Sequence, residues 1–363
     1  MLKHHESNQR IEWVDQAKGL AILGICLFHF FQNYPERTHL VSLLDRNGAR
    51  IGFAAVDLFF VLAGVNVSLS LVKMINKDNI NWISWLKKRL TRLYITYWLS
   101  IVVTLIITFI WGEIKLQSGL DFLRIILGFP GYRLYQQINP GFWFFSVILQ
   151  FYLIVPLLFT LTQYRFERIL GFGLLAGLVV KVLCWWIVPT QSYWHGFFWQ
   201  HHFIGSYLFE ACLGIYWGFI YSRQQKFRAM DWCLTLILLG VGITLYGWQA
   251  ALGREVFYML GFNITFSPFF FLGSYWLCKT LGQKPLMNPV MKLFSILGQQ
   301  SYQIYLIHQP LFFVWFRFWR SQINLTTLGG LSLTLVVTII LLSLYVWLFI
   351  RLESWLRNQI KFL

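Results

Sequence analysis

The feature that most constrains this chain is a succession of apolar runs, each about 20 residues long, separated by short stretches that hold most of its charges. A helix needs about 20 apolar residues to cross the hydrocarbon core, and inside the core every backbone polar group must be satisfied within the protein. Repeated runs of this length therefore predict an all-α polytopic membrane protein, a bundle of about ten transmembrane helices. The spans are expected at 17–34, 50–72, 90–111, 142–162, 169–188, 203–222, 231–250, 257–278, 294–316 and 328–350. The stretch 119–129, GLDFLRIILGF, is too short to cross and reads as a re-entrant or interfacial piece. Composition agrees: 12% of residues are charged, against about 25% in ordinary soluble domains. The 18 Trp and 17 Tyr suit interfacial belts and aromatic-lined cavities. No linker or low-complexity run divides the chain, so 1–363 is expected to be one domain.

The net charge of +16 could suggest a nucleic-acid partner. The basic residues, however, fall between apolar runs, where they act as topology signals, and no nucleic acid is expected. Lys and Arg fall twenty to one side and nine to the other, with Lys181 inside the fifth span. The richer side takes Lys3, Arg10 and Lys18, then Lys73, Lys77, Lys87, Lys88, Arg89 and Arg92, and later Arg351, Arg357 and Lys361. The poorer side includes Lys115, Arg133 and Arg254. This asymmetry places both termini in the cytoplasm. Five cysteines lie in apolar runs without a CxxC pair, so neither a disulfide framework nor a metal site is expected. No small-residue cleavage site follows the first run, so the first helix is expected to be retained.

Orientation gives depth, and depth singles out four residues. Lys18 and His29 are eleven residues apart, so they lie within about 20° of one helix face and roughly 16 Å apart along it. With Lys18 at the cytoplasmic interface, His29 falls in the outer half of the membrane. Asp57, Glu210 and His308, on three other spans, come to similar depth. An ionisable side chain there is costly against lipid and should face the bundle interior. Two histidines and two carboxylates supply a general base and an orienting partner. The same set suits a proton relay or, less well given the absence of i,i+4 ligand spacing, a metal. A histidine that merely bridges helices is the plainer alternative. On the cytoplasmic side, KKRLTRLYITYW places Arg89 and Arg92 three apart at the start of a span, an arrangement suited to phosphate and equally to an ordinary basic flank.

These residues sit in segments that resemble a known family. WVDQAKGLAILGICLFHF, with Lys18 and His29, resembles the opening helix of the integral-membrane acyltransferase family 3, polytopic O-acyltransferases that modify surface carbohydrates. GFAAVDLFFVLAG, with Asp57, resembles that family's second-helix pattern. KRLTRLYITYW resembles its R-x-x-R stretch at Arg89 and Arg92. NPGFWFFSVILQFYLIVPLL resembles a further segment at Trp143, Phe151, Tyr152 and Pro156, and YLFEACLGIYWG one at Glu210 and Gly214. LGQQSYQIYLIHQPLF resembles the closing signature at Ser301, Tyr302, Tyr305, His308 and Pro310. The six segments are collinear from about 11 to 315. Lys18 replaces the commoner Arg, Ala63 stands where Ser is usual, and Ile148 and Leu149 stand where many polysaccharide-modifying members have Glu. No esterase-like domain of the kind that some members append is expected after the tenth span.

The resemblance implies a plasma (inner) membrane enzyme that moves an acyl group, most often acetyl, from cytoplasmic acyl-CoA to a carbohydrate hydroxyl on the far side. It implies that Lys18, Arg89 and Arg92 meet the phosphates of the donor. His29, Asp57, Glu210 and His308 would form the catalytic set, with no metal. His29 would act as base or transient acyl carrier, Asp57 would orient it, Glu210 would bind the acceptor, and His308 would be the competing base. Trp143, Tyr152, Ser301 and Tyr302 would contact substrate, although aromatic residues of this kind also serve as packing. Transport of a polysaccharide or an activated precursor is the alternative function; the lack of an evident internal repeat speaks against it.

Overall fold

The computed structural model describes residues 11–75, 80–110, 118–129, 135–187, 203–252 and 262–361. The ends of the expected spans at 188 and 257–261 lie outside the described residues, as do Lys3, Arg10, Lys77, Lys115, Arg133 and Arg254; of Arg50, Lys181 and Cys184 only the backbone is described.

The described residues form α-helices and short 3-10 turns and contain no strand. The helices are α1 (Glu12–Asn33), α2 (His39–Ile75), α3 (Trp82–Ile110), α4 (Gly119–Leu127), α5 (Trp143–Leu161) and α6 (Phe166–Ile187), followed by α7 (Leu208–Gln224), α8 (Ala229–Leu252), α9 (Phe262–Gly282), α10 (Asn288–Gln299), α11 (Ser301–Trp319) and α12 (Leu328–Lys361). Among the described residues, six stretches are long and apolar enough to cross a membrane: α1, α2, most of α3, 140–161 including α5, most of α8 and most of α12.

Several elements differ from the sequence expectation: α2 starts at His39 instead of 50 and α3 at Trp82 instead of 90, and two later helices differ as well. The run expected to span from 294 begins inside α10, because Gln300 breaks the helix before α11 starts at Ser301. α12 continues to Lys361, eleven residues beyond the expected end at 350. Its extension is polar on one side and is tied down there: Glu353, 4% exposed, accepts from Thr96 Oγ1 of α3 at 2.5 Å and from Gln303 Nε2 of α11 at 3.0 Å. The short stretch at 119–129 is the nine-residue α4, capped by the Ser118 hydroxyl at its start and by left-handed Gly128 at its end.

Close approach of backbones sets the centre of the bundle. α2 crosses α7 where Gly64 and Gly214 face each other; a Cβ on Gly64 would strike Ala211 O, and one on Gly214 would strike Val61 O. Between apolar helices in a membrane, such small-residue crossings supply van der Waals contact that larger side chains would prevent. With the backbones this near, α2 and α7 hold Asp57 and Glu210, both buried, in fixed positions.

Candidate active site

α1 ends beside α11, and their contact assembles the polar centre. Pro310 has no N–H, so the helical partner of Leu306 O is missing four residues earlier. Asn139 Nδ2 donates to that carbonyl at 2.7 Å. Its Oδ1 in turn accepts from Gly141 N at 2.9 Å and starts the turn into α5. One side chain thus repairs the proline defect in α11 and seats the beginning of α5, where Trp143 follows.

The repaired helix presents His308 and Gln309 to α1. His308 Nδ1 lies 3.0 Å from Ile304 O. A carbonyl only accepts, so Nδ1 carries the hydrogen and Nε2 presents a lone pair. Nε2 is buried and has no hydrogen-bond partner among the described residues. The His308 ring centroid lies 5.2 Å from that of His29. His29 itself is held at two points: Nδ1 is 2.8 Å from Gln32 Oε1, and Gln309 Nε2 is 2.9 Å from Nδ1 and 3.2 Å from Nε2. An Nδ1–H donated to Gln32 fixes the tautomer, while the Gln309 amide nitrogen, near both ring nitrogens at once, lies over the ring and leaves the in-plane Nε2 lone pair open.

His29 lines a cavity of about 440 Å³ with Gln32, Asn33, Phe53, Asp57, Trp143, Tyr207, Tyr305, Gln309 and Phe313 among its walls. Asp57 Oδ1 accepts from Asn263 Nδ2 at 3.1 Å. The Trp143 ring stacks on Tyr207, with centroids 6.0 Å apart. Such a chamber offers a base, a carboxylate, three side-chain amides and aromatic faces: polar groups to fix hydroxyls and flat apolar surfaces to receive a ring. No group of three metal-ligating side chains converges among the described residues.

The structure therefore brings together His29, Asp57 and Trp143, with His308 directly behind His29. Glu210 is buried one helical turn after Tyr207 and is not part of the cavity wall. The partner expected for His29 was Asp57, but its ring nitrogens meet two glutamines. Gln32 lies i+3 from His29, a helical neighbour whose position the sequence shows. Gln309, Asn139 and Asn263 come from other elements, and only tertiary packing brings them into place.

The residues expected to meet donor phosphates lie apart from the cavity. Lys18 Nζ pairs with Asp15 Oδ1 at 3.4 Å, toward the opposite end of α1. Arg89 points into the bundle. Its Nη2 donates to Asn66 O at 3.2 Å and its Nη1 to Tyr152 Oη at 3.4 Å, and its guanidinium lies 5.2 Å from the Trp85 ring and 5.3 Å from that of Tyr152. Arg92 is exposed and lies on a surface groove. Tyr152 is thus a partner of Arg89 and not of the cavity. Ser301 lies seven residues before His308, roughly 10 Å down α11. Tyr302 Oη reaches Leu93 O at 3.4 Å, joining α11 to α3.

A bundle of membrane-length helices enclosing a clamped imidazole, a carboxylate and an aromatic wall has the parts of an intramembrane group-transfer enzyme. The chain belongs to the acyltransferase family: the family described as "Acyltransferase domain" matches residues 11–350. Among curated proteins it is similar to the O-acetyltransferase OatA of Staphylococcus aureus strain NCTC 8325 / PS 47, at 23% identity over 332 residues. That match covers 82% of this chain and 50% of the relative. The OatA proteins of strains COL and MRSA252 match to the same extent. This chain thus spans about half the length of the curated relatives it matches. No solved structure matches.

Proposed function

We propose that this protein transfers an acyl group, acetyl in the simplest case, from cytoplasmic acyl-CoA to a hydroxyl of a carbohydrate, lipid-linked or on the far side of the plasma (inner) membrane. The observation that carries this reading is the His29 imidazole, fixed by Gln32 and Gln309 on the wall of a cavity that also exposes Asp57 and Trp143. A sugar hydroxyl is a poor nucleophile at neutral pH, and a positioned base contributes about 10²–10⁴ in rate. An acceptor hydroxyl that meets the Nε2 lone pair would give its proton to His29 while its oxygen attacks the thioester carbonyl. The carbon–sulfur bond then breaks, and His29 returns the proton to the departing thiolate. An acyl group carried briefly on His29 would use the same nitrogen. Gln32 keeps the opposite ring N–H oriented in either case, and His308 backs the ring from behind.

In this reading Asp57 and Glu210 serve the acceptor side, Asp57 from the wall and Glu210 from behind Tyr207. Trp143, on the cavity wall and backed by Tyr207, offers aromatic surface to a sugar ring. Lys18, Arg89 and Arg92 serve the phosphates of the donor, with Tyr152 holding Arg89 in place. The chain crosses the membrane ten times with both termini in the cytoplasm, as the twenty-to-nine division of Lys and Arg supports.

The test is acceptor-dependent release of the free thiol from acetyl-CoA by purified protein, with the label recovered on the glycan as an ester. Passage of glycan or precursor across vesicles with no thioester cleavage would reject transfer. For the topology, Gln225→Cys should resist an impermeant thiol reagent in intact cells whose other cysteines have been replaced; labelling from outside would reject it.

A further inference from the structure

α3 carries cations that face two ways. Arg89 turns inward, toward α2 and α5. Ser84, Lys87, Lys88, Thr91 and Arg92, at helical spacing along another face, join Arg357 of α12 around an open groove of about 700 Å³. The direction of that face follows from helix geometry. Ser84 and Val102, Lys88 and Ile106, and Thr91 and Phe109 are each 18 residues apart, about five whole turns, so each pair shares an azimuth. Val102, Ile106 and Phe109 are each more than half exposed, as apolar side chains of a membrane-length helix are when they face lipid. The groove therefore lies directly below the lipid-facing stripe of α3.

The chemistry of the groove is cationic and fixed on one side. Lys87 and Lys88 are exposed, and neither meets an acid among the described residues. Arg357 is held in place: its Nε reaches Glu353 Oε1 at 2.9 Å, and its Nη2 reaches Glu353 Oε1, Thr96 Oγ1 and Arg92 O. Its Nη1 has no partner among the described residues and remains to meet a ligand. On the inner side, Thr96, Glu353 and Gln303 bridge α3, α12 and α11, placing hydrogen-bonded side chains between the groove and the bundle. Glu353 and Arg357 also lie beyond the residues matched to the family, 11–350.

We propose that this groove binds the phosphate headgroup of an anionic phospholipid, with Lys87, Lys88 and Arg357 on the phosphate and an acyl chain along Val102 and Ile106. Basic pockets between membrane helices on the cytoplasmic side receive such headgroups, and this is the end of α3 proposed above to face the cytoplasm. Free donor, whose thioester must travel inward, is the poorer occupant of an outward face. Arg92, on the flank between the two sets, is left out of the assignment.

The experiment uses the full chain in neutral detergent, titrated with phosphatidylglycerol and with phosphatidylcholine of the same acyl chains, and bound lipid is counted by native mass spectrometry. Wild type should hold phosphatidylglycerol more tightly. Each cation near the surface is worth roughly 5-fold, so K87Q/K88Q should weaken phosphatidylglycerol ~25-fold while leaving phosphatidylcholine and the KM for acetyl-CoA unchanged. Both lysines are exposed, so this variant keeps the fold even if R357Q, which also strips Glu353 of its partner, does not. Equal retention of the two lipids by wild type would overturn the proposal. So would displacement of phosphatidylglycerol by coenzyme A together with a raised donor KM in K87Q/K88Q, which would give the groove to the donor.

Discussion

Gln309 Nε2 lies 2.9 Å from His29 Nδ1 and 3.2 Å from His29 Nε2, over the ring whose Nδ1 also meets Gln32 Oε1 at 2.8 Å. The amide of α11 therefore seats the ring from its face and leaves the in-plane lone pair of Nε2 for a substrate hydroxyl. Gln309 Oε1 is buried without a hydrogen-bond partner among the described residues. A buried amide oxygen left unpaired is costly, and a hydroxyl entering the cavity would relieve that cost while meeting the imidazole.

Gln309→Leu removes both the hold on His29 and the waiting acceptor. One hydrogen bond is worth about 1 kcal/mol, so kcat should fall roughly 3- to 10-fold with donor KM unchanged. Gln32→Leu should cost at least as much, because it frees the tautomer. Steady-state kinetics with acetyl-CoA and a saturating acceptor check both. A Gln309→Leu enzyme with unaltered kcat would show that the amide is only packing.

Asn139→Ala should destabilise the protein by about 1–3 kcal/mol, since it leaves Leu306 O buried with neither a helical donor nor an amide. The thermal midpoint in detergent measures it. Asn139→Ala in a Pro310→Ala background should cost less, because the helix then supplies its own N–H. Equal losses in the two backgrounds would separate Asn139 from the proline defect.

How far the sequence reached can be read from single residues. The helices were legible because an apolar run of spanning length has one solution in lipid. His29, Asp57, Glu210 and His308 stood out because ionisable groups at depth need a reason. Gln300 was not legible as a break, since the apolar pattern passes through it and the helix ends for local backbone reasons. Nor were Gln309 and Asn139 legible as site residues. Neutral amides carry no charge to mark depth, and their partners lie 280 and 167 positions away in the chain. The depth argument expected His29 and Asp57 at similar depth facing the interior; the structure has both on the wall of one cavity, with glutamines at the His29 ring nitrogens.

Arg89→Ala should raise the KM for acyl-CoA and also lower stability, because the guanidinium ties α3 to Asn66 and Tyr152. Arg89→Lys should recover part of each, since an ammonium keeps the charge but loses the planar fork and its stacking. Tyr152→Phe should show the smaller KM effect of a positioning residue. Donor KM values unchanged across all three, with folded protein, would leave Arg89 a structural residue alone.

The most direct test of the whole account is His29→Ala, assayed for donor binding and for transfer on the same preparation. The variant should insert and bind acyl-CoA as wild type does, because Lys18 and Arg89 are untouched. Acceptor-dependent transfer should fall by about 10²–10⁴. His308→Ala, which removes a ring that does not line the cavity, should fall less. A His29→Ala protein that binds donor and turns over at close to the wild-type rate would take the imidazole out of the chemistry and contradict the account.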